Sequence, residues 1–376
     1  MERILLRLSS ALALILFLFS SCIQDEPLNP EADILFFDVK EDVGQIIPDL
    51  TGAPTDILVY YSKGDLTNEK LTPIIKITEG ATISPSPDIP QNFSKTVVYT
   101  VTSQDRKHVR TYRITFTKVI LDTYNFENWE INSNYHYATP YEYDGDNKIS
   151  LWDSSNRGVV LYQRFDNQED YPVHYTTNQQ EIIRGERSAV MVTKVGPGSI
   201  FNIQYIPIVA GSLFTGRLVP LEAMKDPLLA TKFGQPYYKL PKKFAGYYKY
   251  RSGAGDYIQS DGSRSPNKKD KCSVYAVFYE RDSKLTTLDG TNILTDPHIV
   301  SVASISEEER LQSKGDGMAY FETNFEYRNG YTPASIDFET KKYSLAVIFS
   351  SSYNGDRYEG TPGSRLVVDD IKIINE

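Results

Sequence analysis

Short runs in which apolar and polar residues alternate, each closed by Gly, Asn, Asp or Pro, do most to limit what this chain can fold into. Tyr112, Ile114 and Phe116 alternate with Arg113, Thr115 and Thr117, the period-two pattern of a strand with one buried face. Val97, Tyr99 and Val101 repeat it, and Gln104-Asp105-Arg106-Lys107 supplies a polar hairpin between the two runs. Asp56-Ile57-Leu58-Val59-Tyr60 and Ile74-Ile75-Lys76-Ile77 read as two further short strands. The chain holds 27 tyrosines, and Tyr with Val, Ile, Phe and Thr favours pleated surfaces. Ser306-Glu307-Glu308-Glu309 has capping-box spacing and marks one short helix. The rest carries no helical periodicity, and the pattern predicts an all-β protein.

At 376 residues there is length for two cores. The first 21 residues run from Arg3 and Arg7 through the apolar stretch 11–19 to Ser20-Ser21. That order is a secretory signal, too short to span a bilayer as a mature helix. Cys22 directly after two small residues resembles the lipobox of bacterial lipoproteins, and the resemblance implies that Cys22 is lipidated and joins the protein to a membrane. Phe19 stands where that family usually carries Leu. An ordinary cleaved signal peptide is the alternative. Ile23-Gln24-Asp25-Glu26 resembles the surface-export signal of Bacteroidetes lipoproteins, which implies an outer-membrane anchor facing the cell exterior; a solvated acidic tether is the plainer reading. Residues 22–31, with Pro27 and Pro30, read as a linker. The formal net charge of −9 argues against general nucleic-acid binding. With Cys22 lipidated, Cys272 has no intrachain partner, so stability must come from burial rather than a disulfide framework.

Two units follow. Residues 32–119 form a small sandwich in which Pro85, Pro87 and Pro90 mark a loop. The segment 93–103 with Tyr112-Arg113-Ile114-Thr115-Phe116 resembles the immunoglobulin-like modules that stand before catalytic or binding domains in such lipoproteins, which implies a spacer. Residues 122–376 form the larger unit, and their many short strands suggest a jelly roll. Here Trp152-Asp153-Ser154-Ser155-Asn156, Leu213-Phe214-Thr215-Gly216, Phe244-Ala245-Gly246-Tyr247-Tyr248-Lys249-Tyr250 and the closing Val368-Asp369-Asp370-Ile371 resemble the Bacteroidetes family named the putative carbohydrate metabolism domain. That family implies glycan handling without a defined reaction.

Two sets of residues are candidates for a site. Sugars present apolar C–H faces that stack on aromatic rings, while their hydroxyls need polar partners. Trp152 beside Asn156 and Arg157 has the composition of a sugar-binding edge, and Tyr247, Tyr248 and Tyr250 form a second aromatic group. Parity puts Tyr248 and Tyr250 on one face and Tyr247 with Lys249 on the other, so one of those faces belongs to the core. On the closing strand Val367, Asp369, Ile371 and Ile373 share one parity, which places Asp369 on an apolar face, where a bare carboxylate is costly. Jelly-roll binding modules often hold a structural calcium between their terminal strands. The resemblance implies that Glu127, Asp369 and Asp370 supply hard oxygen ligands for one; capping of backbone amides, or pairing with Arg or Lys, is the alternative.

Four histidines without ligand spacing give no zinc site, and Cys272 within a strand reads as a buried small residue. The residues lead to a surface lipoprotein that binds a polysaccharide or oligosaccharide, working with other outer-membrane glycan-uptake proteins. A glycoside hydrolase using paired carboxylates and an adhesive surface protein without a sugar ligand are the alternatives.

Overall fold

The computed structural model describes residues 27–376 apart from 41–45, 49–54, 62–65, 67–68, 118–120, 145–146, 201–203, 220–221, 223–225, 283–284 and 286. The leader, Cys22 and the first part of the linker lie outside the described residues.

The first unit is a sandwich. Its larger sheet is ordered Ile46–Pro48, Asp56–Tyr61, Val109–Thr117, Val97–Thr102, Thr82–Ser84, with Asp56–Tyr61 parallel to Val109–Thr117 and the remaining neighbours antiparallel. Ile34–Val39 pairs antiparallel with Pro73–Ile77 as the second layer. Between them Phe37, Phe93 and Phe116 meet in tilted and edge-to-face ring contacts, with Tyr99, Val101, Tyr112 and Ile114 beneath. The alternation read at Tyr112, Ile114 and Phe116 is this buried face. Strand Asp56–Tyr61 is buried on both sides. Ile57 and Val59 enter this core, whereas Leu58 and Tyr60 reach the core of the second unit, Tyr60 meeting Tyr238 edge-on at 6.2 Å.

The second unit packs two antiparallel sheets face to face. One follows Trp152–Ser154, Ser212–Leu218, Lys342–Ser350, Ser273–Arg281, Ile299–Ser304 and Glu326–Tyr327. The other follows Val173–Thr176, Ser188–Val192, Arg365–Asn375, Pro241–Arg251 and Ala319–Asn324. Their facing sides supply one core: Val274, Ala276, Phe278, Leu345, Val347 and Phe349 against Phe244, Tyr248, Leu366, Val368, Ile371 and Ile373. The first sheet is also covered on its outer face. Phe214, Val277, Tyr279, Ala346 and Ile348 form a second apolar layer under Phe233, Leu288 and Ile293. Strands buried on both faces read as continuous apolar runs, which is why Tyr343–Phe349 shows no alternation. The expected helix is present as Glu307–Leu311, with Ser306 and Glu309 capping one another.

The closing strand departs from simple parity. Ala245 pairs with Lys372 and Tyr247 with Asp369, so Gly246 alone faces Asp370 and Ile371. This is a β-bulge, with Asp370 in the left-handed region at φ 47°. A Cβ on Gly246 would lie 2.5 Å from the Ile371 side chain, so the bulge needs glycine opposite it. The extra residue moves Val368, Ile371 and Ile373 into the core and takes Asp369 out of the apolar set to which sequence parity assigned it.

Candidate functional site

The residues expected to form a sugar edge divide between core and surface. Trp152 is 2% exposed and packs between Tyr124, Phe126 and Phe349. Asn156 is fully buried, and its side chain takes the place of a strand neighbour, donating to the Val173 carbonyl at 2.7 Å and accepting the Val173 amide at 3.0 Å. Arg157 is tied to Asp153 at 2.8 Å, and Asp153 also accepts the Leu218 amide. Tyr248 and Tyr250 are buried in the inter-sheet core. Tyr247 faces outward and meets exposed Tyr320 in a tilted ring contact at 5.2 Å. Trp152, Asn156, Tyr248 and Tyr250 are therefore packing residues: strand Trp152–Ser154 is buried at all three positions because sheet and loops cover both its faces. Trp152→Phe should leave ligand binding unchanged and cost about 1 kcal/mol, the smaller ring being offset by removal of an indole N–H that lacks a partner. Thermal melting beside a binding titration checks both.

The acidic set does come together, around a loop of backbone. Glu127 accepts the amides of Glu186 at 2.9 Å and Arg187 at 3.3 Å. Asp369 accepts those of Ile183 at 2.6 Å, Arg184 at 3.1 Å and Asp370 at 2.7 Å. Asp370 pairs with Lys372 at 2.8 Å and lies 3.8 Å from Arg184. Most of the oxygens that a calcium ion would recruit are spent on N–H groups and cations, Asp370 Oδ1 alone lacking a hydrogen-bond partner, and the described residues hold no group of three or more acidic, His or Cys side chains placed around a metal. The set does not fit calcium. It clamps residues 183–187 between the first and last strands of the unit.

The open concavity lies elsewhere, beyond the outer face of the first sheet. It is a cleft of about 710 Å³. Its floor is Phe214, Phe233 and Ile348, the outward residues of that sheet. One wall comes from the segment after Trp152: Ser155, Val159 and Tyr162 line it from around the helix Asn156–Val159, whose Asn156 side faces the core. Leu228 and Ile293 form a second apolar wall.

The polar rim is the loop 352–358, which follows strand Lys342–Ser350. Tyr353, Asn354, Asp356, Arg357 and Tyr358 all reach the cleft. Packing shapes this loop. A Cβ on Gly355 would fall 2.3 Å from that of Ala210, so only glycine lets the chain approach there, and Tyr358 then turns in the left-handed region at φ 59°. Behind the loop Asp270, 1% exposed, accepts Ser352 Oγ at 2.6 Å, Thr361 N at 2.8 Å and Ser364 Oγ at 2.8 Å. Asn354 is held by Tyr257 and Glu359, each at 3.2 Å. Asp356 stands exposed on the rim of the cleft; desolvation by the protein around it raises its carboxyl above the ordinary range, with Arg357 opposing. Sequence reasoning passed over Ser350-Ser351-Ser352-Tyr353-Asn354-Gly355-Asp356-Arg357-Tyr358. Its signal was readable: a turn dipeptide set among tyrosines and charges, immediately after a long apolar strand.

Two packed sandwiches, the larger with an aromatic cleft on its outer face, define a two-module β protein. The chain belongs to the putative carbohydrate metabolism domain family, whose model matches residues 125–374. Residues 34–116 match the model described as SGBP, N-terminal. A crystal structure from Bacteroides thetaiotaomicron described as a putative glycoside hydrolase is 31% identical, with a TM-score of 0.76, the match covering 94% of this chain and 99% of that one. A second so described, from Bacteroides vulgatus, is also 31% identical, with a TM-score of 0.60 over 69% of this chain and all of that one. No curated protein matches the sequence.

Proposed function

We propose that this protein is a surface lipoprotein that binds glycan in the cleft between the helix Asn156–Val159 and the loop 352–358. The observation that carries this is the cleft's lining: Tyr162, Tyr353 and Tyr358 beside Asn354, Asp356 and Arg357, over an apolar floor. Tyrosine rings take the C–H faces of sugars, and the amide, carboxyl and guanidinium groups bond their hydroxyls. The cleft's volume of about 710 Å³ is enough for several sugar rings. The SGBP-type first module and the likeness to two Bacteroides structures described as putative glycoside hydrolases support a place in surface glycan capture alongside other uptake proteins.

A glycan array probed with the full chain, with Tyr358→Ala and Asp356→Asn alongside, tests this reading. Saturable binding weakened about tenfold or more in either variant supports it; array-wide silence rejects it. Lipidation at Cys22 predicts that Cys22→Ala releases the protein into the soluble fraction, and a variant still membrane-bound and lipid-labelled would sink that part.

Hydrolysis is a second reading with an observation of its own. Asp356 lines the cleft and Glu307 the smaller chamber beside it; desolvation raises the Asp356 carboxyl above the ordinary range, while the hydrogen bond that Glu307 accepts from Lys271 holds its carboxyl below it. Glycosidases use such a divided pair as acid and base. Reducing ends released from a bound glycan by the wild type and not by Asp356→Asn would establish it.

A further inference from the structure

A chamber of about 190 Å³ adjoins the cleft and shares Tyr275, Leu294 and Tyr353 with it. Ser304, Glu307, Arg310 and Arg328 line the rest of it, together with Val302. We propose that this chamber and the neighbouring Arg357 hold an anionic substituent, carboxylate or sulfate ester, of the glycan lying in the cleft. The inference rests on the glycan-binding reading and names the class of glycan.

Charge is the first argument. In a chain of net charge −9, this corner gathers Lys271, Arg310, Arg328 and Arg357 against Glu307 and Asp356. Glu307 is already engaged by Lys271 at 2.6 Å. Arg328 and Arg357 make no ion pair among the described residues. Cations left unpaired at the edge of a concave, low-dielectric surface attract an anion more strongly than the same charges on an open face.

Arg310 supplies the second argument. Its guanidinium is fixed from three sides: Nη2 donates to Ser304 Oγ at 2.6 Å, Nε donates to the Ile305 carbonyl at 3.4 Å, and the plane stacks on the Tyr353 ring at 4.8 Å. Nη1 is shielded from solvent and has no hydrogen-bond partner; it pairs by charge with Glu307 at 3.6 Å, beyond hydrogen-bonding reach, and Glu307 is itself shared with Lys271. A shielded guanidinium N–H without an acceptor is costly to maintain, and a planar or tetrahedral oxyanion is the partner its fork geometry best fits. Arg310 is therefore preorganised, with Arg328 beside it in the chamber and Arg357 in the cleft that adjoins it.

Calorimetric titration of the detergent-solubilised full chain tests this with two anionic probes and their neutral counterparts: an oligogalacturonide and its carboxyl-reduced form, and a κ-carrageenan oligosaccharide and its desulfated form. Arg328→Gln and Arg357→Gln are exposed changes and are titrated in parallel at low and high salt. At least one anionic probe should bind about tenfold tighter than its neutral partner, the advantage shrinking with salt and falling several-fold in either variant without a change in Tm. Which probe wins separates carboxylate from sulfate. Equal binding of charged and neutral forms overturns the anionic inference and leaves the glycan reading standing. An anionic preference that survives both substitutions places the charge elsewhere and also overturns it. Failure of all four probes to bind counts against both readings.

Discussion

Glu142→Gln should flatten the dependence of stability on pH and raise the melting temperature at neutral and alkaline pH. Strand Ala138–Asp144 turns Ala138, Pro140 and Glu142 inward, while Tyr143 on the opposite parity is exposed and packs edge-on against Tyr141 at 5.3 Å. Glu142 is 7% exposed, and its Oε1 has no hydrogen-bond partner. Burial, aided by the negative charge of Glu127, pushes its carboxyl up to about 8. In the unfolded chain the same group titrates near the ordinary glutamate value of 4.5. A carboxyl whose folded value is raised imposes no penalty below the unfolded value. As pH climbs from about 4.5 to 8 the unfolded state releases a proton that the folded state keeps, and stability is lost across that window. At pH 7 the loss is at most roughly 3 kcal/mol, from about 1.4 kcal/mol for each pH step above the unfolded value. The glutamine variant does not titrate, so its advantage should grow from nothing near pH 4.5 to a Tm gain of roughly 5–10 °C at pH 8. His174 works in the other direction. Burial lowers it to about 4, so its contribution is complete above the ordinary value of 6.5 and is lost as pH falls from there toward 4. Melting curves of wild type and variant from pH 4 to 9 decide the matter; parallel profiles would show that Glu142 does not carry the alkaline limb.

Asp270→Ala should cost about 3 kcal/mol or more and weaken glycan binding by at least tenfold, although Asp270 does not line the cleft. Its carboxylate gathers four donors: Ser352 Oγ, Thr361 N and Ser364 Oγ on one oxygen, and Lys271 N at 2.8 Å on the other. Ser352 begins the loop that presents Asn354, Asp356, Arg357 and Tyr358, and Thr361 and Ser364 stand beyond its far end. Removing the acceptor strands buried donors at both ends at once, and the loop loses the anchor that sets its distance from the helix Asn156–Val159. Asp270→Asn keeps an acceptor oxygen but turns an amide toward donors, so it should fall between wild type and alanine in both Tm and affinity. Binding is measured well below each variant's melting point. An alanine variant with wild-type Tm, or one that is destabilised yet binds normally, contradicts the anchoring role.

Much of the architecture could be read from residue order. Alternation at Tyr112, Ile114 and Phe116, the proline loop at 85–90 and the capping box at Ser306 each depend on neighbours a few residues away, and each element formed where its local chemistry placed it. The family resemblance rested on short motifs that hold their meaning locally, and the matched model spans the second unit. Glu127, Asp369 and Asp370 read in sequence as calcium ligands, with capping of backbone amides or pairing with Arg or Lys as the alternative. The identity of those partners, the amides of residues 183–187, lies almost two hundred positions from Asp369 in sequence and depends on which loop the last strand passes.

Parity and exposure were decided only in three dimensions. Period-two reading assumes an unbroken ladder; the bulge at Asp370 and Ile371, opposite Gly246, inserts one residue and reverses the faces beyond it. Trp152 looks like a sugar-stacking ring in sequence, since it sits among polar neighbours, while Tyr358 with the same kind of neighbours was passed over. One is in the core because a strand and two loops close over it, and the other opens to the cleft because Gly355 lets its loop press against Ala210 and turn outward. Amino-acid order by itself determined the β class and the kinship; which aromatic rings line a cleft and which enter the core was left to packing, because burial is a property of what folds over a residue and not of the residue's neighbours in the chain.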